Sequence, residues 1–345
     1  MPKVHSASQK TNTNPQKISH SDKCSCIVHT LGQVGHIQVQ QGFQPIKKDK
    51  KYLRQRAKNT FFSKELARAL TQLDSPLNKA YRRTYFDCNS IIMQEGKKLT
   101  SKYCDSRWCN TCNRIRTAKL LNGYEKPLKD LKEPYFVTLT IPNPSKSDLR
   151  ASIIGMIQTF ANILKANRRA GNGLKTAFNG IRKLECTYNP EEDTYHPHFH
   201  VIIEGKQQAE TLKKDWLKRY NSANTVAQDI KAANPESLKE LFKYTTKLVT
   251  KSKTEKNDFR IYIPALDTIF QSMYKLRTFQ SFGSIRMVSE NIDQLDSENY
   301  DIEPYEFLVW TWIGNDWKSM VSTEKLSGYE PSKRMIELLT EKMVT

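Results

Sequence analysis

No run of about 18 apolar residues, the length a membrane-crossing helix needs, occurs in the 345-residue chain. The N-terminus also lacks the apolar core of a secretory signal, and no internal repeat is evident. These absences lead to the expectation of a cytoplasmic protein with no membrane partner. Acidic side chains are scarce beside basic ones, 36 Asp and Glu against 55 Lys and Arg, for a formal net charge of +19. Such an imbalance suits a polyanionic partner, most simply nucleic acid held through its phosphates, with an anionic membrane surface as the rival. Histidine is sparse as well, with seven in the chain, and cysteine also numbers seven. In a reducing compartment those cysteines point to metal binding or burial rather than disulfides.

Three of the seven histidines stand at alternate positions in Tyr195-His196-Pro197-His198-Phe199-His200-Val201-Ile202-Ile203. In a strand, His196, His198 and His200 share one face, and Phe199, Val201 and Ile203 anchor the other in a core. Upstream, Leu184 to Tyr188 reads as a strand and Asn189 to Asp193 as a turn. A hairpin centred on Glu192 and Asp193 sets Glu185 opposite His200 and Thr187 opposite His198, so that Glu185 reaches the same metal. Imidazole and oxygen ligands together suit Mn²⁺, Mg²⁺ or Zn²⁺, and spacing does not choose among them. A one-residue change of register turns Glu185 away.

Residues 1–50, rich in Ser, Thr, Asn, Gln and Lys, read as a disordered or loosely ordered arm that contains Cys24 and Cys26. Residues 51–125 read as a basic helix followed by a cysteine-rich module. The helix, Lys51 to Leu73, is lined by Lys51, Arg54, Arg56, Lys58, Lys64 and Arg68, either a DNA-contacting face or a solvated one. Cys88, Cys104, Cys109 and Cys112 follow with C-x15-C-x4-C-x2-C spacing. The Cys109–Cys112 pair can hold one zinc ion from a single turn, and the other two complete a tetrahedral thiolate site. Arg114, Arg116 and Lys119 come next on a helix, as in a zinc ribbon that carries a basic helix. From 134 to 290 the order strand, helix, strand, strand, helix predicts an α+β domain, an antiparallel sheet with helices packed on one face. Tyr135–Ile141 is its first strand and Asp148–Asn167 its first helix, with Leu149, Ile153, Met156, Phe160 and Ile163 in the apolar stripe. The other sheet face carries Thr138, Glu185, His198 and His200. Residues 291–345 form a C-terminal extension. Within it a hairpin turning at Gly314-Asn315-Asp316 carries Trp310, Trp312 and Trp317, which suit either a core or base stacking.

A further helix is predicted over Asn234–Val249, with Asn234 capping it and Pro235 in its first turn. On its wheel Tyr244 lies off the apolar stripe, with Glu240 at i−4 and Lys247 at i+3 and Lys243 beside it. Two readings stand here, a rim tyrosine packed beside the core and a nucleophile for a phosphodiester. A phenol with a pKa near 10 attacks phosphorus only with help from cations.

Taken in order, the Phe136-Val137-Thr138-Leu139-Thr140 strand, the His196-Pro197-His198-Phe199-His200 strand and the Glu240-x-x-Lys243-Tyr244-x-x-Lys247 helix resemble the HUH endonucleases. Within these they are most similar to the single-tyrosine rolling-circle replication initiators of small bacterial plasmids. The cysteine cluster and the stretch from Ala265 to Gly283 are similar too, so the resemblance spans roughly residues 85 to 285. It implies a ferredoxin- or RRM-like core and a nickase and strand transferase that uses Mg²⁺ or Mn²⁺ held by His198 and His200 with Glu185 or His196. Tyr244 would form a 5′-phosphotyrosine, Glu240 would activate water at termination, and Lys243 or Lys247 would steady the phosphate. Implied partners are origin DNA, duplex at a binding site and single-stranded at the nick, and host helicase and polymerase. A transposase or relaxase of the same chemistry, or a zinc-containing DNA-binding regulator without catalysis, are the alternatives.

Overall fold

The computed structural model describes residues 50–169, 178–234, 237, 240–241, 247–251, 258–288, 298–299 and 305–345. All belong to one compact unit, Ile46–Thr345. The expected arm, with Cys24 and Cys26, lies outside the described residues, as do Lys243 and Tyr244.

The described residues open with two helices, α1 (Lys50–Leu70) and α2 (Asn78–Phe86), then a hairpin of β1 (Ile91–Gly96) and β2 (Lys98–Ser101), then α3 (Asn110–Lys129). Next come β3 (Pro134–Thr140), α4 (Leu149–Arg169), the hairpin β4 (Gly180–Asn189) and β5 (Thr194–Glu204), and α5 (Lys206–Arg219). Short strands β6 (Asp229–Ala232), β7 (Thr250–Lys251) and β8 (Phe259–Tyr262) lead into α6 (Ile263–Ser272) and β9 (Phe279–Phe282). The chain closes with β10 (Glu298–Asn299), β11 (Tyr305–Ile313), β12 (Asp316–Ser319), α7 (Lys333–Thr340) and β13 (Met343–Val344).

The result is the mixed α+β fold that the element order predicts. The central sheet runs β6-β3-β5-β4-β9 with antiparallel neighbours throughout. Period-two alternation explains its two faces. Val137, Leu139, Leu184, Phe199, Val201 and Ile203 point into the main core. There they meet the stripe of α4 (Ile153, Met156, Phe160, Ile163) and Leu212 and Trp216 of α5. Trp216 also donates its Nε1–H to the Thr140 carbonyl at 2.8 Å, which satisfies its one polar atom. The opposite face is divided. Phe136, Ile181 and Ile202 meet Leu128 and Leu131 from the end of α3 and Leu241, and the remainder is polar.

The hairpin register differs from the expected one by two residues. Glu185 pairs with His198, Thr187 with His196 and Lys183 with His200. Pairing continues out to Asn189 and Thr194, so the loop is only the four residues Pro190–Asp193 and its centre is Glu191–Glu192. The turn is tight because Asn189 Oδ1 accepts from the Glu191 amide, Tyr188 bonds Asp193 Oδ1 at 2.9 Å, and Asp193 takes the left-handed region at φ 49°. A shift of two preserves side-chain parity, so Glu185 keeps the face that the sequence assigns to it.

The cysteine-rich segment shares the main core: Cys88, Cys104, Cys109 and Cys112 lie in one apolar cluster with Leu66 and Leu70 of α1 and the strand residues above. The tail hairpin pairs with it. β11 lies against β1 in a second sheet, β10-β2-β1-β11-β12. Trp310 and Trp317 are buried there, and their indole N–H groups donate to Gln94 Oε1 at 3.0 Å and to the Asn89 carbonyl at 2.7 Å. Both are therefore core residues, not base-stacking platforms.

Helix α1 departs from a uniformly basic face. Lys51, Arg54, Lys58 and Arg68 are exposed, but Arg56 and Lys64 are buried. Arg56 donates to Asn89 Oδ1 at 2.8 Å and Tyr103 Oη at 2.9 Å, and Lys64 Nζ reaches the Tyr85 carbonyl and Ser90 Oγ, each at 2.6 Å. Long basic side chains buried in this way need such partners, and these two brace the cysteine module from inside. Among the described residues no helix is long and apolar enough to cross a membrane.

Candidate active site

The polar part of the central sheet face gathers a compact group. One ligand atom each from Glu185, His198 and His200 lies within 4.8 Å of the others. The two histidine Nε2 atoms stand 3.2 Å apart, and His200 Nε2 is 3.7 Å from Glu185 Oε2. Neighbouring ligands of a divalent ion bound at about 2.1 Å in octahedral geometry are about 3.0 Å apart, so this donor set fits such an ion with little movement. The outer nitrogens are anchored. His198 Nδ1 lies 3.1 Å from the His196 carbonyl oxygen, which only accepts, so Nδ1 carries the proton and Nε2 keeps its lone pair. His200 Nδ1 sits 3.4 Å from Thr138 Oγ1, and its ring stacks on Phe136 at a centroid distance of 5.2 Å.

Electrostatics prepares the same state. Burial holds the His198 pKa down to about 4 and lowers that of His200. Burial works to raise the Glu185 pKa, but Lys183 and the two histidines outweigh it, and the net shift is downward. At neutral pH the cluster is two neutral imidazoles and a carboxylate, the form that accepts a cation.

His196 shares the strand face but stands outside the cluster; its Nδ1 is 2.8 Å from Asn143 Oδ1. Lys183 is a site residue that the motif reading passes over. It is fully buried opposite His200, and its Nζ sits 2.9 Å from Glu185 Oε2. The signal was available, since Lys183 lies two residues before Glu185 and so must share its face.

The cluster opens into a cleft of about 670 Å³ whose walls include Glu185, Thr187, His198, His200, Glu240 and Lys247. Asn234 Oδ1 accepts from the Ser237 amide at 2.9 Å, the expected cap, and Ser237, Glu240 and Leu241 are helical. Lys247 to Val249, expected to continue that helix, are not helical, because the chain must be extended by Thr250 to pair with Arg260 of β8. Phe62 and Asn110, from α1 and from the start of α3, also line the cleft. The cysteine module thus forms part of the same wall, which no sequence motif indicates.

The second candidate centre lies behind that wall. Cys88 follows α2, Cys104 follows β2, Cys109 caps α3 and Cys112 lies in its first turn. All four are buried. Cys88 Sγ is 3.7 Å from Cys109 Sγ and 3.5 Å from Cys112 Sγ, and Cys104 Sγ is 3.5 Å from Cys112 Sγ. A tetrahedral zinc site with bonds of about 2.3 Å requires sulfur separations of about 3.8 Å, so the group fits zinc closely. Their mutual hydrogen bonds drive the Cys104 pKa down and the Cys88 pKa up. Arg116 braces the knuckle through the Asp105 carbonyl at 2.6 Å.

A two-histidine, one-carboxylate cluster on an antiparallel sheet, backed by a four-cysteine zinc-ribbon-like module in a strongly basic chain, defines an α+β protein with two candidate metal centres. A family profile described as "Replication protein" matches residues 96–306, and the chain belongs to that family. The resemblance to plasmid rolling-circle replication initiators drawn from the motifs is thereby borne out. Relatives named "Protein rep" include one from Staphylococcus aureus, 27% identical over 59% of this chain and 97% of its own length. Another, from Streptococcus pneumoniae serotype 2, is 24% identical over 62% of this chain and 69% of its own. A third, from a Bacillus species, is 33% identical over 31% of this chain and 35% of its own. No solved structure gives a significant match.

Proposed function

We propose that this plasmid replication initiator nicks and rejoins single-stranded origin DNA as a divalent-cation-dependent nickase and strand transferase. The observation that supports this most is the Glu185–His198–His200 cluster at one cleft with Glu240 and Lys247. Mg²⁺ or Mn²⁺, held by those three side chains, supplies Lewis acidity toward the scissile phosphate. Tyr244, four residues beyond Glu240, provides the phenol oxygen that bonds phosphorus as the bond to the 3′ oxygen breaks. The products are a 5′-phosphotyrosine and a 3′-hydroxyl that primes synthesis. Lys243 and Lys247 steady the charge on phosphate and phenolate. With a single tyrosine, the terminal cleavage needs another nucleophile, and Glu240 is the group suited to take a proton from water. Zinc held by Cys88, Cys104, Cys109 and Cys112 keeps α3 and its basic residues presented to duplex origin DNA. Host helicase and polymerase would extend the primed end.

The test uses the full chain with Mn²⁺ and an origin oligonucleotide, resolved on a denaturing gel. The intact protein becomes covalently attached to one product. Tyr244→Phe loses the adduct by about 10³-fold or more, the scale expected when a nucleophile is removed. Glu240→Ala keeps the first adduct and loses hydrolytic release. An undiminished adduct with Tyr244→Phe rules out the assigned nucleophile, and equal loss of both steps in Glu240→Ala rules out the division of roles.

A further inference from the structure

Lys183 has no solvent-exposed surface, a placement that lysine tolerates only when its ammonium is paired. Its Nζ reaches in two directions. It lies 2.9 Å from Glu185 Oε2 and 3.3 Å from the backbone carbonyl oxygen of Glu240. The first partner belongs to the cation cluster, and the second is the helical residue Glu240, 57 residues further along the chain. Glu185 Oε2 is also the oxygen that lies 3.7 Å from His200 Nε2. An ion held by the cluster and the Lys183 ammonium therefore contend for one carboxylate oxygen.

We propose that Lys183 is a positioning residue that couples occupation of the cation site to the placement of the helix carrying Glu240. The inference rests on the reading of Glu185, His198 and His200 as the cation site. A divalent ion there withdraws Glu185 Oε2 from the ammonium and repels it, since like charges a few ångströms apart in a dry site interact strongly. The ammonium then leans on its second partner, the Glu240 carbonyl, and holds that turn of helix against the metal strand. Glu240 is thus held firmly only when the cation is present. A lysine that merely filled space would not respond to the ion.

Two measurements on the full chain decide it, with Mn²⁺ alone as the probe. Calorimetric titration of Lys183→Met is expected to show Mn²⁺ binding about tenfold tighter than wild type, because a fixed like charge has been removed. Hydrogen–deuterium exchange of wild type is expected to show the amides around Ser237–Leu241 slowed about tenfold by Mn²⁺, an effect that Lys183→Met abolishes. Unchanged or weaker Mn²⁺ binding in the variant, no Mn²⁺ binding in wild type, or wild-type exchange indifferent to Mn²⁺ each overturns the proposal. If Lys183→Met does not fold, the wild-type exchange result decides by itself. Neither readout involves DNA cleavage. Failure of the Tyr244 adduct would sink the nickase reading and leave this inference standing, and the reverse outcome is equally clear.

Discussion

His198→Ala is expected to lower cation-dependent cleavage by about 10³-fold while the protein stays folded, because the polarising ion loses a ligand whose ring is already oriented. His198 is the most enclosed of the three cluster side chains, with 8% of its surface exposed, and its Nδ1–H is committed to the His196 carbonyl. Alanine removes the Nε2 lone pair and leaves the apolar side of the sheet untouched. Mn²⁺ affinity measured by calorimetry falls with activity, and His196→Ala, outside the cluster, holds affinity within about tenfold. A larger loss for His196→Ala would make it a ligand. The pH dependence has a definite sign. The His198 pKa is depressed to about 4. The folded chain therefore binds fewer protons than the unfolded one between about pH 6.5 and 4, and stability is lost as pH falls through that window. Mn²⁺ binding opposes protonation of the same nitrogens, so affinity is level above neutrality and declines as pH drops toward 4. Affinity that rose on acidification would contradict the ligand assignment.

Cys109→Ser is expected to abolish the zinc binding proposed for the four-cysteine group, lower the melting temperature by about 10 °C and reduce cleavage, although no histidine changes. Structural zinc contributes folding energy directly, and loss of several kcal/mol in a unit of this size corresponds to about that shift. Cys109 is wholly buried at the N-cap of α3 and makes no side-chain capping bond there, so its replacement by serine, itself a good N-cap, acts through the thiolate group rather than through the cap. Asn110, the next residue, lines the cleft that holds Glu185, His198 and His200, as does Phe62 of α1. Metal content by atomic emission, a thermal melt and the origin-nicking assay together check the prediction. A zinc-depleted variant that melts normally and nicks at the wild-type rate would show that the module is independent of the site.

Much of the candidate site was legible because its signals are local. Alternation put His198, His200 and Glu185 on one face, and an error of two in the hairpin register left that parity intact. The turn at Asn189–Asp193 was legible, but its centre was placed one residue late, because the tight closure that sets the register depends on side-chain bonds from Asn189 and Tyr188. Arg56 and Lys64 were misjudged because charge on a helix says nothing about which turns face Asn89 and Ser90. The pairing of β11 with β1 joins Thr311 to Ile91, a contact that no short-range pattern records.

The amino-acid sequence by itself determined the ligand types, their spacing, the α+β element order and the basic character, since each follows from neighbours within a few residues. Only the tertiary structure decided that the thiolate module walls the same cleft as the histidines and that Lys183 bridges Glu185 to the Glu240 turn. Those are meetings between distant segments. They are set by how apolar faces pack around a shared core, and periodicity along a chain carries no record of that packing.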